Sequence, residues 1–208
     1  MKLSEPKIKT STLPVMEHFY TLQGEGFHQG RPAYFIRLGG CDVGCVWCDV
    51  KESWDAAKHP QISIHELADI VRKTEAEIVV ITGGEPLMHN LDDLTDTLKQ
   101  AGFKTHMETS GSSYLSGHWD WITLSPKKFK APLPEVIEKA NELKIVIFNK
   151  SDFNWAEKYA SEVNEDCLLY LQPEWSKADQ VTPLIIEYIK THPQWRLSLQ
   201  IHKYINVP

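Results

Sequence analysis

Two kinds of apolar run alternate along this chain. Short runs, most of them rich in β-branched residues, recur at 33–38 (AYFIRL), 77–82 (EIVVIT), 103–108, 119–124, 144–148, 167–172 and 196–201. Runs of that length and composition predict strands. Longer stretches with apolar residues every three or four positions predict helices over 63–74, 91–101, 134–143, 152–163 and 181–191. Several ends are marked. Ser63 and Glu66 have capping-box spacing, Gly102 suits a C-terminal cap, Pro134 a first helical position and Asp152 an N-cap. Strand–helix alternation implies an α/β fold with a mostly parallel sheet wrapped by helices. With no repeat, low-complexity segment or linker, it reads as a single domain over 15–208 behind a polar extension, 1–14.

Composition narrows the classes. The 208 residues are 42% hydrophobic, enough for a full core. No stretch approaches the ~20 apolar residues of a membrane span, so no membrane is expected. Residues 1–14 carry Lys2, Lys7 and Lys9 and lack the apolar segment of a signal peptide. With free cysteines, this points to the cytoplasm. A net charge of −6 argues against a nucleic-acid surface. The densest basic segment, Lys127-Lys128-Phe129-Lys130, reads equally as a patch or a solvated loop.

Three of four cysteines lie within eight residues, as Cys41-x3-Cys45-x2-Cys48 followed by Asp49. The fourth, Cys167, begins an apolar run. Four cysteines in a chain of this length do not make a disulfide scaffold. Structural zinc wants four ligands, and here only His28 or His59 stands near enough in sequence to complete a set. Three thiolates on one loop suit an iron–sulfur cubane with one iron left open. The expected strand ends carry the other unusual residues: Gly83-Gly84-Glu85-Pro86, Glu108-Thr109-Ser110-Gly111, Ser125-Pro126-Lys127, Gln172-Pro173 and His202-Lys203-Tyr204. Parallel α/β folds gather ligand sites at the C-terminal ends of strands, so these segments should meet the cysteine loop on one rim.

Cys-x3-Cys-x2-Cys with a downstream Gly-Gly-Glu-Pro resembles the radical S-adenosylmethionine enzymes. Leu22-Gln23-Gly24-Glu25-Gly26 ahead of Arg37, and the terminal His202-Lys203-Tyr204, narrow the resemblance to the 7-carboxy-7-deazaguanine synthases over roughly 15–208. The resemblance implies a compact, incomplete parallel (β/α) barrel. It implies a 4Fe-4S cluster on Cys41, Cys45 and Cys48, whose open iron chelates S-adenosylmethionine. One-electron cleavage would yield a 5'-deoxyadenosyl radical that takes hydrogen from C6 of 6-carboxy-5,6,7,8-tetrahydropterin. Ring contraction and loss of ammonia would then give 7-carboxy-7-deazaguanine for queuosine or related deazapurines. The radical forms on the cofactor, so no protein residue is named as catalytic.

By motif position, the resemblance assigns Leu22, Gln23, Gly24, Arg37, Thr82, Glu108, His202 and the Pro208 carboxylate to substrate. Arg37 would pair with the substrate carboxylate. It assigns Trp47, Cys48, Asp49, Gly84, Glu85, Ser125, Pro126, Lys127 and Gln172 to S-adenosylmethionine. A one-electron donor such as flavodoxin and a homodimer are implied too. One position departs from the pattern. Relatives often carry Thr or Ser after Cys-Asp as a Mg2+ ligand, but here Val50 has no side-chain oxygen, which leaves open whether Mg2+ is held through Asp49, water and substrate oxygens or another cation does its work. Two alternatives stand beside this reading. One is another radical enzyme of the superfamily, such as a glycyl-radical activase; the other is a non-enzymatic metal-binding module.

Three thiolates are the minimum for such a site. Replacing Cys41, Cys45 or Cys48 by Ala should therefore abolish cluster iron and activity, while Cys167→Ala keeps both. Iron analysis of the four reconstituted variants checks this. Full iron in Cys45→Ala, or its loss in Cys167→Ala, would contradict the ligand set.

Overall fold

The alternating runs assemble into one open, nine-stranded sheet, seen in a computed structural model that describes residues 11–208. The strands are β1 (Thr12–Leu22), β2 (Pro32–Leu38), β3 (Gln61–Ser63), β4 (Ile78–Gly83), β5 (Lys104–Thr109), β6 (Trp121–Leu124), β7 (Glu142–Ile147), β8 (Leu168–Pro173) and β9 (Trp195–Leu197). Their spatial order is β3-β1-β2-β4-β5-β6-β7-β8-β9. From β2 to β9 every pairing is parallel, while β1 lies antiparallel to both β2 and β3. Helices α1 (Ile64–Val71), α2 (Asp92–Gln100), α3 (Pro134–Lys139), α4 (Asp152–Ala160) and α5 (Ala178–Thr191) join the strands, and α6 (Ile201–Ile205) ends the chain. The incomplete parallel barrel is thus the observed architecture.

Strand periodicity divides the sheet into two unlike faces. One face carries Ile36, Leu38, Val79, Ile81, Met107, Leu124, Leu143, Ile145, Ile147 and Leu171. It packs into a single core with Leu67 of α1, Leu94 and Leu98 of α2, Val136 of α3, Ala156 of α4 and Ile185 of α5. Each such Leu or Ile contributes about 1.5–3 kcal/mol of burial. The opposite face bears Phe35, Arg37, Thr82, Glu108, Thr123, Glu142 and Lys144. Arg37 lies opposite Thr82 across β2 and β4, and Glu108, Thr123 and Glu142 form a row across β5, β6 and β7. Parallel strands buried on both faces are usually apolar throughout. Here the second face is polar because it walls a cavity.

Several expectations need correction. β1 was not expected. Its burial does not alternate cleanly, and its register shifts between Val15 and Glu17. Thr12–Pro14, placed in the extension, pair with β3; residues 1–10 of the extension lie outside the described residues. The helix from Pro134 stops at Lys139, and β7 begins at Glu142 rather than 144. Asp152 does not cap its own helix. Its carboxylate instead accepts from the N–H groups of Phe148 and Asn149 behind it. The last strand ends at Leu197, so His202 sits on α6 instead of a strand end. Ser198 makes the last ladder bond, its N–H to Leu171 O, and its hydroxyl donates to Gln172 Oε1, after which the chain leaves the sheet. The basic segment forms no patch: Lys128 pairs with Asp152, Lys130 with Asp42, and Lys127 faces the cavity.

The cap at α1 is half of the expected box. Ser63 Oγ accepts from the Glu66 N–H at 3.1 Å, with no reciprocal bond from Glu66. Ser63→Ala should therefore cost about 1 kcal/mol, and Glu66→Ala less than about 0.5 kcal/mol. Denaturant unfolding of both variants measures the difference.

Candidate active site

The cysteine loop leaves the end of β2 through Gly39 and Gly40 and is seated on the end of β4. Gly84 N–H bonds Leu38 O at 3.0 Å, and Glu85 N–H bonds Gly40 O at 2.8 Å. A Cβ on Gly84 would stand 2.3 Å from Gly40 O and 2.8 Å from Cys41 Cβ, so only glycine fits. The close approach that Gly83-Gly84 permits is made by the chain's own cysteine loop. Further bonds from Gly40 N–H to Ser53 O and Cys41 N–H to Trp54 O fix the loop from its other side. Glu85 is 1% exposed. It accepts from Thr109 Oγ1 (2.5 Å), Ser110 Oγ (2.5 Å), Ser110 N–H (2.8 Å) and Leu87 N–H (3.1 Å). Its carboxylate ties the ends of β4 and β5 together.

Beside this loop opens a cavity of about 510 Å³, within the range of small-molecule and cofactor sites. Cys41, Cys45, Cys48, Trp47 and Asp49 border it, as do Gly84, Glu85, Ser125, Lys127 and Gln172. Leu22, Gln23, Gly24, Arg37, Thr82, Glu108, His202 and Pro208 line it too. Of the expected site residues only Pro126 does not; it is buried beside the cavity. The three thiols are free. Burial raises Cys41 and Cys45, and the Lys127 ammonium offsets part of this at Cys45. Among the described residues no three His, Cys, Asp or Glu side chains are grouped to hold a single metal ion. Three soft sulfur donors spread along one loop instead fit a cluster, whose irons sit at separate corners. Lys127 donates to Ser125 O (2.8 Å) and Ser125 Oγ (2.6 Å), and its ammonium lies 5.7 Å from the Trp47 ring centre.

Across the cavity lies a group that sequence reasoning missed. Lys144, its side chain 6% exposed, donates to Glu25 Oε2 at 2.5 Å and Glu108 Oε2 at 2.7 Å. Gln200 Nε2 holds the other oxygen of Glu25 at 2.8 Å, and Gln23 Nε2 lies 3.4 Å from that of Glu108. Burial alone would raise the carboxyl of Glu25, but the ammonium and the amide hold it down at about 2. Burial raises Glu108, which the shared ammonium offsets incompletely. One ammonium neutralises one carboxylate, so the pair divides unequally. Burial would lower Lys144, yet Glu108 and Glu25 drive it well above an ordinary lysine. Arg37 also has an unexpected partner: its Nε donates to Glu17 at 2.6 Å.

The Leu22–Gly26 segment is pinned from three directions. Ile201 N–H bonds Gly24 O, and a Cβ on Gly24 would strike the His202 ring at 2.1 Å. Gly26, at φ +64°, donates to Ser198 Oγ. Phe27 N–H and Trp121 Nε1 both donate to Glu142. Beneath the cavity, His28, His106, Trp121 and Glu142 enclose a pocket of about 10 Å³. Burial pushes Glu142 up to about 7 and holds His106 down at about 3.

Comparison with known proteins agrees with this geometry. Residues 35–147 match the Radical SAM superfamily. The 7-carboxy-7-deazaguanine synthase of Flavobacterium psychrophilum is 52% identical, over 96% of this chain and 95% of its own. That of Synechocystis is 49% identical over 97% and 96%. The chain belongs to the 7-carboxy-7-deazaguanine synthase family. The crystal structure of QueE from Escherichia coli superposes with a TM-score of 0.83 at 35% identity, covering 90% of this chain and 93% of that one. As a radical enzyme of this family the chain uses a 4Fe-4S cluster and S-adenosylmethionine. Its substrate is a small molecule. No helix among the described residues is long and apolar enough to cross a membrane.

The polar interior has a stability signature. The folded-state pKa of Glu142, about 7, lies above the ordinary 4.5. Its stabilising contribution is therefore full below about pH 4.5 and lost as pH rises through about 7. His106 works oppositely: held at about 3, below its usual 6.5, it favours the fold above pH 6.5 and loses that contribution as pH falls. The two partly cancel in the wild type. The informative quantity is thus the stability difference between Glu142→Gln and wild type. Between pH 5 and 8 it should move in the variant's favour by up to about 3 kcal/mol. A difference independent of pH in urea unfolding would refute the assignment.

Proposed function

We propose that the chain converts 6-carboxy-5,6,7,8-tetrahydropterin to 7-carboxy-7-deazaguanine with loss of ammonia, in queuosine or deazapurine biosynthesis. One observation carries this reading. A single cavity is lined both by the three cysteines and Trp47 and by Arg37, Glu108, Gln23 and His202. Residues suited to a reactive centre thus share one cavity with groups suited to a flat, polar, carboxylated ring. Bound there, the cluster and S-adenosylmethionine supply the one-electron chemistry that removes hydrogen from a substrate carbon.

The protein's own part is to bind, orient and shield. Arg37 receives the substrate carboxylate. Glu17 occupies its Nε, which leaves the end-on pair of Nη groups for a two-pronged contact. Gln23, Glu108 and Thr82 face the pterin. Gly24 brings backbone close to the ring, His202 packs against Gly24, and Pro208 lines the cavity beside them. Trp47 lies against the adenine, and Gly84, Ser125, Lys127 and Gln172 hold the rest of S-adenosylmethionine with Cys48 and Asp49.

Mg2+ does not fit the residues present. Val50 lines the cavity without an oxygen, and the nearest carboxylate, Asp49, is shared with Lys203 at 3.2 Å. We assign the ion no step. A flavodoxin-type electron donor, a homodimer and a cytoplasmic setting complete the reading, and rest on the family resemblance. An activase for a protein glycine would not need the carboxylate-binding Arg37 or the terminal Pro208 at the cavity.

Arg37 gives the test. Arg37→Ala should weaken carboxypterin binding by roughly 30-fold to several-thousand-fold, as expected for truncating a buried charge pair, and leave S-adenosylmethionine binding close to wild type. Arg37→Lys should recover only part of the loss. Titration of each ligand into reconstituted protein measures both. Equal losses for the two ligands would make Arg37 structural and overturn its role.

A further inference from the structure

Lys144 has no place in the reading above, yet it is the most buried cation at the cavity. Its side chain is 6% exposed, against 16% for Glu25 and 20% for Glu108. It touches both carboxylates while they keep an exposed edge toward the cavity. Two carboxylates gathered on one ammonium leave a single net negative charge. Without the lysine, repulsion would drive them apart or force one of them to take a proton. Each is also braced at its second oxygen by an amide from a different part of the chain, Gln200 for Glu25 and Gln23 for Glu108. A carboxylate oxygen can accept more than one hydrogen bond, so these braces leave capacity for a ligand.

We infer that Lys144 is a positioning residue that fixes Glu25 and Glu108 as a paired acceptor for the donor edge of a 2-amino-4-oxo pyrimidine ring, and so selects which ring the cavity admits. The inference rests on the proposed pterin substrate. That ring carries an exocyclic 2-amino group beside a ring N3–H, two adjacent donors that match carboxylate oxygens. A ring with a 2-oxo group in that place would bring oxygen lone pairs against a fixed anion. It would be rejected as sites built around hydrogen bonds reject ligands that cannot make them. Lys144 reaches neither donor in this scheme. It acts by holding Glu25 ionised and Glu108 in place.

The test measures equilibrium binding of the product and its 2-oxo analogue, 7-carboxy-7-deazaxanthine, to cluster-loaded protein with S-adenosylmethionine bound. Wild type should prefer the 2-amino ring by about 100-fold or more. Lys144→Met should reduce that preference to within about 5-fold while S-adenosylmethionine affinity stays unchanged. Lys144→Arg, which keeps the charge and donors, should restore much of it. Because removing a buried cation can unfold a protein, the double variant Lys144→Met/Glu25→Gln is included. It keeps the local net charge of the wild type. It should hold its cluster iron and still fail to discriminate. The inference is overturned if Lys144→Met or the double variant retains the preference, or if both rings weaken equally, since a merely structural lysine would do the latter. A wild type that binds neither ring would overturn the pterin reading itself, and the inference with it.

Discussion

A strand turns successive side chains to opposite faces, and that two-residue period is the constraint on which this molecule depends. One parity of β2 to β8 is almost wholly apolar and is covered by five helices. The other carries Arg37, Thr82, Glu108, Thr123, Glu142 and Lys144. A one-residue slip in any strand would exchange the faces, placing charge beneath helices and leucine in the cavity. Packing on one face therefore fixes the alignment of the site on the other. The register that puts Val79 and Ile81 in the core is the one that sets Arg37 opposite Thr82.

Charge on the cavity face has to be stabilised locally, because burial of an unpaired ion costs several kcal/mol. The structure meets this by pairing groups from distant segments. Lys144 of β7 binds Glu25 from the first loop and Glu108 from β5. Glu142, one turn of the pleat earlier, receives the Phe27 N–H and the Trp121 indole, and its raised pKa shows that these donors do not offset its desolvation. The Leu22–Gly26 loop is thus held mainly by the polar floor of the cavity rather than by the apolar core. Its conformation and the ionisation of that floor are one problem, since the same carboxylates serve both.

Much of this was legible in the sequence wherever the deciding contacts are local. The strand runs at 77–82 and 103–108, the Ser63 cap and the cysteine loop each carry their signal within a few residues. The misses share the opposite property. β1 has polar residues on both faces and acquires its pairing from strands 10 or more residues away on either side. β3 has three residues and α6 five, too short to show a period. Glu25 and Lys144 are 119 residues apart, and only the placing of two charges, Glu142 and Lys144, inside an otherwise apolar strand hinted at an occupied inner face. Glu85 shows the converse. Its motif was recognised, but the carboxylate is used within the protein, joining two strand ends.

The chain's last residues complete what its first loop begins. α6 is too short to be stable alone. It is held by Ile201 N–H on Gly24 O, by the His202 ring against Gly24, and by Lys203, which reaches Asp49 beside the cysteines and lies 4.9 Å from the Trp175 ring centre. One five-residue helix thereby touches the Leu22–Gly26 loop, the cysteine loop and the segment after β8. The left-handed turn at Asn206 then directs the chain so that Pro208 joins the cavity wall. These tethers depend on Gly24 having no side chain and on Asp49 being charged, two features of segments formed much earlier in the chain. The enclosure of the cavity therefore rests on tertiary contacts between distant segments. It follows from the placement of the loops by the sheet and could not be read from the terminal sequence by itself.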